Sequence, residues 1–103
     1  RELLKRKLNA ATTVGFGPRF LHSTGQLHKG GDDSGMFIQI VNEDKKDAKI
    51  PGKPYSFSVL KQAQAIGDFE SLLKHDRRVI KINTGNNVTG GLKKLYSDLK
   101  KVL

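Results

Sequence analysis

A chain of 103 residues, 36% of them apolar, is long enough for one domain at most and can bury only a modest core. Its formal charge of +9, from 19 Lys+Arg against 10 Asp+Glu, favours phosphate in some form, but the basic residues are spread along the chain with no aromatic platform beside them, which argues against a nucleic-acid interface. With no cysteine, disulfides and thiolate chemistry are excluded, and no apolar run nears the roughly 20 residues of a membrane span; the expectation is a cytoplasmic protein that binds neither nucleic acid nor membrane.

Residues 2–10 have a helical pattern, with Leu4 and Leu8 one turn apart and Asn9 as a stop. The chain opens on Arg1 inside that pattern, which predicts a segment of a longer protein. The β-branched run Thr12-Thr13-Val14 predicts a strand over residues 12–16. Pro18 can open a helix over residues 19–29, although Gly25 inside it costs about 1 kcal/mol relative to alanine. Residues 30–35, Gly-Gly-Asp-Asp-Ser-Gly, form a turn, and Met36-Phe37-Ile38-Gln39-Ile40-Val41 is the clearest strand of the chain.

Residues 42–48 are polar and charged, a surface loop, and the prolines of residues 50–55 predict a stiff extended path. Ser56 is a good N-cap for a helix with Val59, Leu60, Ala63 and Ile66 facing inward. Gly67-Asp68 reads as a stop and restart, giving a second helix through Phe69, Leu72 and Leu73. Residues 79–82 form a third strand, residues 83–87 a turn, and residues 90–103 an amphipathic helix with Leu92, Leu95, Tyr96, Leu99, Val102 and Leu103 facing inward. Strands alternating with helices predict an α/β fold, a small parallel sheet of three strands flanked by helices in three layers, with right-handed crossovers.

The chemistry-bearing residues concentrate in residues 15–31. On a helix His22 and Gln26 are i,i+4 neighbours, and a histidine near a helix start can hold or pass a proton near neutral pH; a histidine satisfied by backbone is the simpler alternative. His28, Lys29, Gly30 and Gly31 suit either anion binding by backbone N–H groups or a plain helix end with cations at its negative pole. His22 and His28, six residues apart, do not share a helical face and make a poor metal pair, and His75 reads as a solvated helix end.

The stretch Gly15-Phe16-Gly17-Pro18-Arg19-Phe20-Leu21-His22-Ser23-Thr24-Gly25-Gln26-Leu27-His28-Lys29-Gly30-Gly31 resembles a late segment of phosphoglucose isomerases, especially the isomerase half of bifunctional transaldolase/phosphoglucose isomerase proteins. Residues 50–68 and 77–82 resemble the segments that follow it there, so the likeness covers residues 12–103. The resemblance implies a sugar-isomerase (SIS-like) fold and interconversion of glucose 6-phosphate and fructose 6-phosphate without metal or cofactor. It makes His22 the ring-opening catalytic residue and Lys61 the catalytic lysine on the other side of the sugar, although Asp-Gln and Gly-Val-Glu precede the lysine in the usual isomerases and Tyr55-Ser56-Phe57-Ser58-Val59-Leu60 precede it here. Gln26 and His28 fall in step behind His22 and, with the basic Arg19 and Lys29, are the candidate substrate-binding residues.

The family's proton-shuttling glutamate and its phosphate-holding loops lie further upstream than this chain reaches. The resemblance therefore implies two partners, a sugar phosphate and the upstream remainder of the same protein, with a second copy as a third candidate through Leu3, Leu4 and Leu8. The competing class is a non-catalytic module that binds a phosphosugar or docks a subunit.

Overall fold

The computed structural model describes residues 1–17 and 24–103, residues 24–26 by their main chain alone. Its elements in order are α1 (Glu2–Leu8), α2 (Thr24–Gly30), β1 (Met36–Val41), α3 (Phe57–Lys74), β2 (Arg78–Asn83) and α4 (Val88–Val102). β1 and β2 pair in parallel, from Met36 opposite Arg78 to Val41 opposite Asn83. Parallel neighbours need a crossover, and α3 supplies it. The pairing continues past both strands, where Thr84 N–H donates to the Val41 carbonyl and Glu43 N–H to that of Gly85, each at 2.9 Å.

Successive strand residues face opposite sides of the sheet. Phe37, Gln39 and Val41 are half-buried, and α3 lies on their side: Gln39 Nε2 donates to the Ala65 carbonyl at 2.8 Å, and Lys81 Nζ sits 4.5 Å from the centre of the Phe69 ring. On the opposite side Met36 is 78% exposed and Ile80 57%, with Ile38 and Ile40 also exposed. Among the described residues the sheet is thus covered on one face by α3 and, apart from the half-buried Ile82, open on an apolar face. Leu3 and Leu72 are the buried apolar side chains among the described residues.

α3 is one helix, not two. Its start is fixed twice over, by Ser56, whose Oγ accepts from Val59 N–H at 3.3 Å, and by Asp47, whose carboxylate accepts from Ser58 N–H at 3.0 Å. Gly67 meets nothing on its open side, and the cost of about 1 kcal/mol for a helical glycine is outweighed by placing Phe69 and Leu72 against the sheet side. The helix ends where Asp76 turns left-handed at φ 56°. Asp76 N–H then donates to the Leu73 carbonyl and Arg77 N–H to that of Leu72, the paired bonds of a Schellman motif.

Four other expectations are corrected. Residues 12–16 are irregular, with Val14 and Phe16 exposed, because a β-branched run becomes a strand only beside an edge that accepts its ladder; among the described residues the sheet therefore has two strands instead of three. The inward side of α3 carries Leu60, Ala65, Asp68, Phe69 and Leu72, while Val59, Ala63, Ile66 and Leu73 are exposed. In α4, Leu95 and Leu99 are half-buried, but Leu92, Tyr96, Val102 and Leu103 are exposed. Residues 50–55 do not run on extended: Pro51 and Gly52, the latter at φ 74°, form a tight turn closed by Lys53 N–H on the Ile50 carbonyl at 3.1 Å, and Lys49 then pairs antiparallel with Ser56. No described helix is long and apolar enough to cross a membrane.

Candidate functional site

Polar side chains gather at both ends of the two-stranded sheet. At the amino ends of the strands, Arg77 precedes β2, which opens on Arg78, and Arg77 reaches across to the end of α2. Its Nε donates to the His28 carbonyl and its Nη2 to the Lys29 carbonyl, both at 3.1 Å, and Nη2 also donates to the Gly31 carbonyl. Nη1 lies 3.4 Å from the Asp33 carboxylate, and the side chain is 11% exposed. Arg78 holds the same loop from outside, donating to the Asp33 and Gly35 carbonyls at 3.0 and 3.1 Å and pairing with the Asp33 carboxylate at 3.2 Å. The last carbonyls of a helix have no partners within it and carry its negative pole, so a guanidinium with several donors in a fixed fork is the natural complement.

The glycines there have distinct roles. Gly31 N–H donates to the Leu27 carbonyl at 2.8 Å, and a Cβ on Gly31 would lie 2.5 Å from that carbonyl oxygen. Gly30 meets nothing. Lys29 ties α2 to α3 through Asp68, Nζ to Oδ1 at 2.6 Å. The His28 ring packs at 55° against Phe37 with centroids 4.9 Å apart.

At the carboxyl ends, the loop after β1 folds onto the start of α3. Lys61 Nζ donates to Asp44 Oδ1 at 2.6 Å, and Ser58 Oγ donates to Asp44 Oδ2 at 2.6 Å. The Lys61 ammonium, then the Ser58 hydroxyl, hold the Asp44 carboxyl below the usual aspartate value. The hydroxyl of Ser56 and the N–H of Ser58 hold Asp47 lower still, at about 2. An open hollow of about 390 Å³ lies here, lined by Asp44, Lys46, Asp47, Phe57, Ser58 and Lys61.

The expected site residues therefore separate. Arg19 and His22 lie outside the described residues, and Gln26 is placed in α2 by its main chain. His28 and Lys29 belong to the amino-end cluster and Lys61 to the carboxyl-end one. What connects them is α3: Lys61 and Asp68 are seven residues apart, two turns, so they project from one side of the helix about 10 Å apart along its axis. Asp68 is the residue that holds Lys29. Among the described residues no group of three His, Cys, Asp or Glu could hold a metal ion.

Sequence reasoning missed the partners. In the sequence Asp68 reads as part of a helix restart and Asp44 as part of a bare loop, and their pairings with Lys29 and Lys61 span 39 and 17 residues. The Arg77-Arg78 doublet ahead of a strand was visible, but nothing local says that one arginine turns to a helix end 46 to 49 residues earlier. No family model matches the chain, and no curated protein or solved structure matches it.

Proposed function

We propose that this chain is the C-terminal part of a glucose-6-phosphate isomerase unit of the sugar-isomerase fold, from a protein that also carries a transaldolase half. In this reading His22 exchanges a proton with the ring oxygen of the sugar as the ring opens, a task suited to a group that titrates near neutral pH. Lys61 offers an ammonium from α3, and Gln26, His28, Arg19 and Lys29 contact the substrate or hold its surroundings. Proton transfer between the two carbons needs a separate carboxylate, which the upstream remainder of the same protein supplies together with the phosphate-holding loops.

The observation that carries this reading is the joining of the motif's helix to the same side of α3 that bears Lys61, through the Lys29–Asp68 pair at 2.6 Å. A short helix after a glycine-rich stretch and a lysine 32 residues after Lys29 have no local reason to share a support. The parallel β1–α3–β2 unit is compatible with the α/β class to which a sugar-isomerase fold belongs.

The test is a coupled isomerase assay on the natural full-length protein with glucose 6-phosphate. His22→Ala is expected to lower turnover by about 10²- to 10⁴-fold, with little change in affinity. Unchanged turnover on the cyclic substrate would remove His22 from the chemistry. The open apolar face of Met36, Ile38, Ile40 and Ile80 favours a second reading, a docking module without chemistry. That reading predicts no isomerase activity in the full-length protein, with His22→Ala changing affinity for the bound partner or phosphosugar instead.

A further inference from the structure

As described, α2 covers seven residues, Thr24–Gly30, and so short a stretch does not hold itself as a helix in water. Among the described residues its side-chain ties, the His28 ring on Phe37 and the contacts made by Arg77 and Lys29, lie in its last turn and the residue beyond. Arg77 spans three acceptors there, the carbonyls of His28, Lys29 and Gly31, while its backbone is fixed by the Schellman bond from its own N–H to the Leu72 carbonyl at 2.9 Å. The guanidinium is therefore held at its root by the end of α3 and at its tip by the end of α2. The Lys29–Asp68 pair, with side chains 22% and 15% exposed, ties the same turn to the middle of α3.

We propose that Arg77 is a positioning residue for the isomerase reaction: with the Lys29–Asp68 pair it sets where α2 sits, and through α2 where the main chain of Gln26 lies. This rests on the reading of the chain as an isomerase segment. Lysine cannot substitute, because one ammonium on a flexible stem does not span three carbonyls fixed along a helix end, whereas the guanidinium presents five donors in one plane. The reaction is sensitive to such a shift because a displacement of about 1 Å of a reacting group can cost about 10²-fold.

The experiment uses the natural full-length protein and two sets of variants. Arg77→Lys is expected to lower kcat for glucose 6-phosphate by about 10- to 10²-fold with KM nearly unchanged, and to speed amide exchange in the peptide covering residues 24–30 while β1 and β2 stay protected. Lys29→Asp is expected to lower kcat as well, and addition of Asp68→Lys, which restores the pair with its sense reversed, to recover most of it. Wild-type kcat in Arg77→Lys, faster exchange spread evenly over the chain, or no recovery in the double variant each overturns the proposal. If the unmodified protein does not isomerise the sugar, the isomerase reading falls; faster exchange confined to residues 24–30 in Arg77→Lys then still upholds Arg77 as the group that positions α2.

Discussion

The two ends of the sheet hold ion pairs of equal length and unequal weight. Lys29–Asp68 and Lys61–Asp44 both measure 2.6 Å, but the side chains of the first are 22% and 15% exposed and those of the second 44% and 22%. The first pair stands beside a guanidinium that is itself 11% exposed and bonded to three backbone carbonyls. The second stands at the mouth of an open hollow. Distance alone does not separate them; what surrounds them does, because solvent screens an exposed pair and the order it demands of two long side chains offsets much of its attraction. The amino end is built to hold elements together. The carboxyl end holds its cation, Lys61, in a more exposed pair.

The largest contrast lies within two adjacent glycines. Gly31→Ala would push a Cβ against the Leu27 carbonyl and is expected to destabilise by about 1–3 kcal/mol, the range of an overpacked site. Gly30→Ala adds a methyl in open space inside a helix and is expected to stabilise by about 0.5–1 kcal/mol. Denaturant unfolding of the two variants checks both signs, and equal effects would mean that the end of α2 is not held against its own last turn.

A smaller contrast compares the pairs directly. Asp68→Ala leaves Lys29 partly buried without its partner and is expected to cost about 1 kcal/mol, read as a lowered melting temperature. Asp44→Ala at the carboxyl end is expected to leave the melting temperature unmoved. If Asp44→Ala cost as much as Asp68→Ala, the carboxyl end would be a structural clasp as well.

The smallest effect is on acid stability and is confined to the start of α3. Asp47 is held at about 2 against 3.8 for a free aspartate. A depressed carboxyl contributes stability that is present above its unfolded value and is lost as the pH falls through the folded one. Protection of the Ser58 amide is therefore expected to decline as pH falls from 3.8 toward 2, and Asp47→Asn to remove that decline. Amide exchange across this range decides it; an unchanged profile in the variant would show that Asp47 does not cap the helix in solution.

Legibility followed the range of the interactions. Asn9 as a stop, Ser56 as an N-cap, the turn at residues 30–35 and the strand at residues 36–41 were all readable, since each depends on residues within about one turn of itself. Gly67 was misread because a local cost of about 1 kcal/mol is visible in the sequence, whereas the packing of Phe69 and Leu72 that outweighs it is not. The strand expected at residues 12–16 failed for the same reason in reverse: Thr12, Thr13 and Val14 have the propensity, and among the described residues no neighbouring edge takes up their ladder. In α4 the pattern of Leu92, Leu95, Tyr96, Leu99 and Val102 marked an apolar stripe correctly, but a stripe does not say whether anything covers it. As for the site, the residue types of the motif were visible, and so was Lys61; their partners Asp68, Arg77 and Asp44 were not.

By itself, then, the sequence determined the local elements, the α/β alternation and a cluster of titratable residues and glycines between residues 15 and 31, because helix caps, turn residues and side-chain periodicity act between near neighbours. Only the tertiary structure decided that Arg77 closes the end of α2, that Lys29 and Lys61 answer to carboxylates on or beside one helix, and that one face of the sheet is covered while the other is open. Those outcomes depend on chain segments 17 to 49 residues apart meeting at fixed angles, and no short-range preference encodes such a meeting.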